Sequence, residues 1–95
     1  MLNVIVTGAS RGLGLGIAER LVAASYRVIA IARGQSEQLA AVMEGLEDRY
    51  RDLLQFRPFD LGNLSEIPDF VRQLRNEFGA IYGLVNNAVL GRAAS

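Results

Sequence analysis

A short apolar run, Val4-Ile5-Val6, breaks at Thr7 into a turn with glycines at positions 8, 12 and 14, and resumes from Leu13 as a helical pattern. Few arrangements satisfy all three parts. A buried strand carries the backbone outward, glycines let it turn sharply and approach a ligand, and the following helix points free N–H groups at an anion. The stretch therefore predicts a phosphate cradle on a strand–turn–helix unit. Its spacing, G-x3-G-x-G, lacks the Gly-Lys-Ser/Thr ending of a nucleotide triphosphate loop, which excludes a kinase or GTPase signature. On the loop alone, a flexible connection competes with the cradle; its place after the first strand, opening the first helix, favours a dinucleotide.

The rest of the chain repeats the same alternation. Leu2 to Val6 reads as a strand buried on both faces, and Ile17, Ala18, Leu21 and Val22 give the first helix one apolar face. Val28 to Ala32 is a second strand ended by Arg33-Gly34, after which Ser36 caps a helix whose inward face is Leu39, Val42, Met43, Leu46 and Tyr50. Leu53 to Phe59 is a third strand, closed by Asp60-Leu61-Gly62. Asn63 and Glu66 have capping-box spacing before a third helix with face Ile67, Phe70, Val71, Leu74 and Phe78, where Pro68 sits in the first turns and Gly79 ends it. Ile81 to Val85 makes a fourth strand running into Asn86-Asn87-Ala88, and its apolar run suits an internal strand covered on both faces.

Strands alternating with helices imply right-handed crossovers and a parallel sheet, so the expected fold is α/β, an incomplete doubly wound Rossmann-type sheet in the order 3-2-1-4. With 95 residues, one domain is expected. Zero formal net charge shows no electrostatic footprint for nucleic acid, and the N-terminus, which enters an apolar strand without a basic flank, is neither signal peptide nor membrane span. A cytoplasmic protein is the expectation. Cysteine and histidine are absent, which removes thiol chemistry, imidazole bases and the usual zinc ligands. All ten basic residues are arginines.

Thr7-Gly8-Ala9-Ser10-Arg11-Gly12-Leu13-Gly14 resembles the cofactor motif of the classical short-chain dehydrogenase/reductase family, and Asn86-Asn87-Ala88 resembles that family's motif after the fourth strand. The likeness covers essentially the whole chain, with Asp60-Leu61 matching the family's acidic residue after the third strand, and is nearest to the 3-oxoacyl-carrier-protein reductase-like branch. It implies that Gly8, Gly12 and Gly14 line the pyrophosphate and let helix pack on strand. Ser10 and Arg11 would approach the adenosine ribose, Leu13 the diphosphate and nicotinamide side, Asp60 and Leu61 the adenine, and Asn87 and Ala88 the ribose and adjoining backbone. The residues also allow plainer roles: Asp60 can satisfy loop amides, and the asparagines can bond neighbouring backbone.

Cofactor choice has a physical reading. A carboxylate at the end of the second strand would hold both ribose hydroxyls of NAD and repel a 2′-phosphate, whereas arginine forms charge-assisted bidentate bonds to phosphate. The strand ends Ile31-Ala32-Arg33 with no acid, so Arg33 and Arg11 are expected to clamp the extra phosphate of NADP. A solvated surface arginine is the alternative for Arg33.

The resemblance implies hydride transfer between nicotinamide and a carbonyl or alcohol, such as a 3-oxoacyl thioester, using a serine, a tyrosine and a lysine four residues after the tyrosine. The positions four after Tyr26, Tyr50 and Tyr82 are Ala30, Leu54 and Asn86, and no lysine exists in the chain. No catalytic residue is therefore assigned. Residues 1–95 are expected to be the NADP-binding half of an oxidoreductase whose catalytic half is absent; the alternative is a non-catalytic NADP-binding or interaction module. An exposed edge on the fourth strand would make either a homo-oligomer. Two positions depart from the family pattern: Val89 replaces a glycine, and Ser25 replaces a helix-ending glycine, at a cost in strain if that position is left-handed.

Overall fold

A computed structural model describes residues 1–87. Four parallel strands, β1 (Asn3–Thr7), β2 (Arg27–Ala32), β3 (Leu54–Pro58) and β4 (Ile81–Asn86), form one sheet in the order β3-β2-β1-β4, the Rossmann-type order expected. The central strand pairs Val4 to Val28 on one side and Val4 to Gly83 on the other, so all four C-terminal ends lie along one rim. Every residue of β1 is buried, as its β-branched run requires.

Three helices cover the sheet: α1 (Gly12–Ala23), α2 (Glu37–Gly45) and α3 (Ile67–Phe78). Leu15, Ala18 and Val22 of α1 and Leu39 of α2 share one core with Val4, Val6, Val28 and Ala30. Leu74 of α3 meets Ile5, Ile29 and Ile31 on the opposite face, flanked by Phe59 and Phe70, whose stacked rings lie 4.2 Å apart. Alternate residues of a strand point to opposite faces, so the two cores are separated by the sheet itself.

Three local expectations differ from what the chain does. The second helix stops at Gly45; Leu46 is extended and a 3₁₀ segment covers Asp48–Leu53, although Leu46 and Tyr50 still pack on the α1/α2 core. The capping box does not form: a 3₁₀ turn, Leu64–Glu66, precedes α3, and the Asn63 backbone carbonyl accepts from the Glu66 N–H, leaving the Asn63 side chain out of the cap. Strand β4 is not covered on both faces. Among the described residues it is an edge strand with β1 as its one neighbour, and Tyr82 and Leu84 are each 63% exposed. The expectation for Ser25 holds: it ends α1 at φ 73°, with its N–H donating to the Val22 carbonyl and that of Tyr26 to the Leu21 carbonyl. These paired bonds close a Schellman turn normally built on glycine.

At the rim opposite the glycine turn, Asn3 and Arg27 are paired in register and bonded to each other, Arg27 Nε donating to Asn3 Oδ1 at 2.7 Å. Both also donate to the Phe78 carbonyl, and Asn3 donates to that of Ala80. This polar knot satisfies the last carbonyl of α3 and that of Ala80 just beyond it, and fixes the helix end against the sheet. Among the described residues, no helix is long and apolar enough to cross a membrane. Ala88 and Val89, both singled out in the sequence, lie outside the described residues.

Candidate functional site

The strand order reverses direction at β1: the chain proceeds from β1 outward to β2 and β3, then returns to β4 on the other side. In open parallel sheets the crevice beyond the strand ends at such a switch point is where ligands bind. The glycine turn occupies this position.

Gly8 (φ 64°) and Gly12 (φ 60°) adopt left-handed backbone that side chains rarely tolerate, which lets the chain leave β1, loop and enter α1 within a few residues. Gly14 is needed for a different reason. A Cβ there would collide with the Gly8 carbonyl and come within 2.7 Å of Asn87 Nδ2, so the absence of a side chain sets how closely α1 approaches the loop. Helix α1 starts at Gly12 with Arg11 as its extended N-cap, has no side-chain cap among the described residues, and has no acid in its first turn. Its leading N–H groups and dipole therefore favour an anion.

Three ties hold the turn. The Gly8 N–H donates to the Ile31 carbonyl at 2.9 Å, joining the loop to the end of β2. Asn87 Nδ2 donates to the Gly8 carbonyl at 3.2 Å, and the Asn87 N–H donates to Thr7 Oγ1 at 2.9 Å, joining it to the end of β4. Thr7 also bonds Asn86 Oδ1 at 3.1 Å. On the far side, the Ser36 hydroxyl donates to the Ser10 carbonyl and accepts from the Leu39 N–H at 3.0 Å, so the residue that caps α2 also grips the loop.

The residues singled out in the sequence gather along the same rim. Gly8, Ser10, Arg11, Gly12, Leu13 and Gly14 form the turn; Arg33 follows β2 and Asn87 follows β4. Arg11, Leu13 and Arg33 are exposed, Leu13 at 73%, and neither arginine forms an ion pair among the described residues. Asp60 follows β3, is exposed, and accepts from the Gly62 N–H at 2.9 Å, which is the loop-amide role its residue type allows. Leu61 lines an apolar groove of about 590 Å³ between α3 and β4, with Ile5, Thr7, Phe70, Leu74, Leu84 and Asn86. Ala88 lies outside the described residues.

Sequence reading missed the parts played by Thr7, Asn86 and Ser36. Thr7 had a visible signal, a hydroxyl closing the apolar buried run Val4-Ile5-Val6, and that hydroxyl is the hub joining β1 to both asparagines. Ser36 had none beyond its capping pattern, since a contact 26 residues away leaves no local trace.

The comparisons with known proteins agree with this geometry. The profile of the short chain dehydrogenase family matches residues 2–95. An uncharacterized oxidoreductase of Staphylococcus saprophyticus is 34% identical over 86 residues, covering 90% of this chain and 36% of the relative. A 3-oxoacyl-[acyl-carrier-protein] reductase of Staphylococcus aureus is 31% identical over 90 residues, covering 95% and 36%. Among solved structures, a carbonyl reductase of Pseudomonas aeruginosa in complex with NADP superposes with a TM-score of 0.78 at 34% identity, covering 95% of this chain and 39% of that one. The chain thus spans about a third of the length of the relatives it matches.

Proposed function

The chain belongs to the short chain dehydrogenase family of oxidoreductases, and from that premise we propose that it is the NADP-binding half of an oxidoreductase that moves hydride to or from a carbonyl or alcohol carbon. The observation that carries this reading is the Gly14 contact: helix, loop and β4 end meet so closely that no side chain fits between them. Such an approach is what a backbone cradle for a pyrophosphate requires. The neighbouring groups suit the same ligand, with the left-handed turns at Gly8 and Gly12 shaping the loop and the uncapped start of α1 offering N–H groups to the phosphates.

In this reading Ser10, Leu13, Asp60, Leu61, Asn87 and Ala88 complete the cofactor's surroundings. Asp60 is held by the Gly62 N–H in a fixed turn, and Asn87 by its bond to Gly8. Arg11 and Arg33, exposed and free of ion pairs among the described residues, hold the 2′-phosphate by charge-assisted hydrogen bonds. An acid in place of Arg33 would instead favour NAD. When bound, the nicotinamide supplies or accepts the hydride. The protein residues described above only bind and orient it.

The relative named as a 3-oxoacyl-[acyl-carrier-protein] reductase makes a 3-oxoacyl thioester a reasonable substrate. With no lysine in these 95 residues, the chain holds no tyrosine–lysine pair to tune proton transfer, so its part in this reading is to bind the cofactor and it is inactive by itself. The open edge of β4 supports a second reading, a non-catalytic NADP-binding module that pairs with another chain as a homo-oligomer.

The test is a thermal-shift titration with NADPH. Wild type should melt at rising temperature as NADPH approaches saturation, and Arg33→Ala should lose most of that gain. Equal shifts in the two proteins would remove Arg33 from the site. No shift in either would remove the cofactor.

A further inference from the structure

The two arginines proposed for the 2′-phosphate sit on different segments. Arg11 follows Ser10 in the glycine turn, and Arg33 lies three residues before Ser36 in the connection from β2 to α2. One side chain bridges these segments at this point: the Ser36 hydroxyl, bonded both to the Ser10 carbonyl and to the Leu39 N–H. A hydroxyl has one proton and two lone pairs, so both bonds are made at once, the proton going to the carbonyl and a lone pair receiving the amide. The Ser10 carbonyl is thereby pulled toward the start of α2. The loop is also anchored at its other end, where Gly8 and Ala9 donate to Ile31.

We infer that Ser36 is a positioning residue for cofactor choice: by tying the glycine turn to the β2–α2 connection it fixes the separation of Arg11 and Arg33, and so sets the preference for NADP over NAD. This rests on the reading of those arginines as the 2′-phosphate clamp. Two cations on separate flexible segments would each lose side-chain and backbone freedom on closing around one phosphate; a bond that already holds the segments together removes much of that cost. Gly8, on the part of the cradle that faces the pyrophosphate, is held by Ile31 and Asn87 rather than by Ser36. The role is therefore selective.

Ser36→Gly separates this role from helix capping, because glycine is nearly as good an N-cap as serine while lacking the hydroxyl. Ser36→Thr restores the hydroxyl. By calorimetry on the full chain, Ser36→Gly should weaken NADPH binding about tenfold, the scale of one lost hydrogen bond, and change NADH binding less than about twofold, with Ser36→Thr returning to wild type. Hydrogen exchange without nucleotide gives a second readout. The Ala9 amide, beside Ser10, should exchange faster in Ser36→Gly and recover in Ser36→Thr, while the Gly8 amide, held by Ile31, and the Leu74 amide of α3 stay unchanged.

Equal losses for NADPH and NADH would overturn the inference, reducing Ser36 to a structural residue. So would wild-type protection of Ala9 in Ser36→Gly. Wild-type chain that binds neither nucleotide overturns the cofactor reading itself and this inference with it, an outcome distinct from the failure of Ser36 alone.

Discussion

The two faces of the sheet are built from similar residues and finished differently. On one face α1 and α2 close over Val4, Val6, Val28 and Ala30, all at or below 5% exposure, and the same packing seats the glycine turn. On the other, α3 covers Ile29 and Ile31 but leaves the groove beside it open, with Leu84 exposed next to buried Ile5. The difference follows from connectivity. Two crossovers lie on the first face, whereas the second has one helix for a sheet of the same width. The closed face seats the glycine turn, and the open face keeps an uncovered groove among the described residues.

Core truncation should expose the contrast most strongly. Leu39→Ala, at a fully buried site under α2, should cost about 3–4 kcal/mol in urea denaturation, and Leu74→Ala, beside the open groove where neighbours can relax, about 2 kcal/mol. Equal costs would mean that the second face is as tightly packed as the first.

The glycines sharpen the comparison within the closed face itself. Gly14→Ala forces the loop backbone and Asn87 apart and should cost about 1–3 kcal/mol with loss of NADPH binding. Gly16→Ala, one residue beyond Leu15 on the same helix, meets nothing within 4 Å and should instead stabilise α1 by about 0.5–1 kcal/mol. If both substitutions behaved alike, the close approach at Gly14 would not be the constraint on the loop.

At the far end of α1, Ser25 holds φ 73° on an exposed turn away from both cores. Ser25→Gly should raise stability by about 0.5–1 kcal/mol in the same denaturation assay, since the left-handed conformation disfavours a Cβ. A loss of stability there would show that the serine side chain contributes more than its strain costs.

The smallest effect belongs to the exposed pair of Arg57 on β3 and Glu77 on α3. Arg57 Nε donates to Glu77 Oε1 at 3.0 Å, and that hydrogen bond holds the Glu77 carboxyl below its usual range, while the same bond pushes Arg57 up. A carboxylate with a depressed folded pKa contributes stability above its unfolded pKa and loses it as pH falls through the folded value. Wild type should therefore be slightly more stable than Glu77→Gln at neutral pH, with the gap closing in acid. A gap that widened on acidification would have the wrong sign for this pair.

Strand order and the glycine turn were legible in the sequence, because each is written in local apolar period and glycine spacing. Val4-Ile5-Val6 ahead of Gly8, Gly12 and Gly14 admits few other folds. The contacts that complete the site were not legible. Ser36 grips Ser10, and Asn3 with Arg27 holds the end of α3, through bonds between distant segments made by residue types that are common on any surface. Local signals also lost where backbone competed with side chain. At Asn63 a 3₁₀ turn took the amide that a capping box would have used, and Gly45 ended a helix whose apolar pattern continued to Tyr50.

The central claim is that the turn between β1 and α1, with Arg11 and Arg33 beside it, is shaped for NADP. Calorimetric titration of the wild-type chain with NADPH and with NADH tests it most directly. One-to-one binding of NADPH, at least about tenfold tighter than NADH, is the predicted result, the scale of a charge-assisted contact to one phosphate. Equal affinity for the two nucleotides would contradict the arginine clamp, and binding of neither would contradict the cradle.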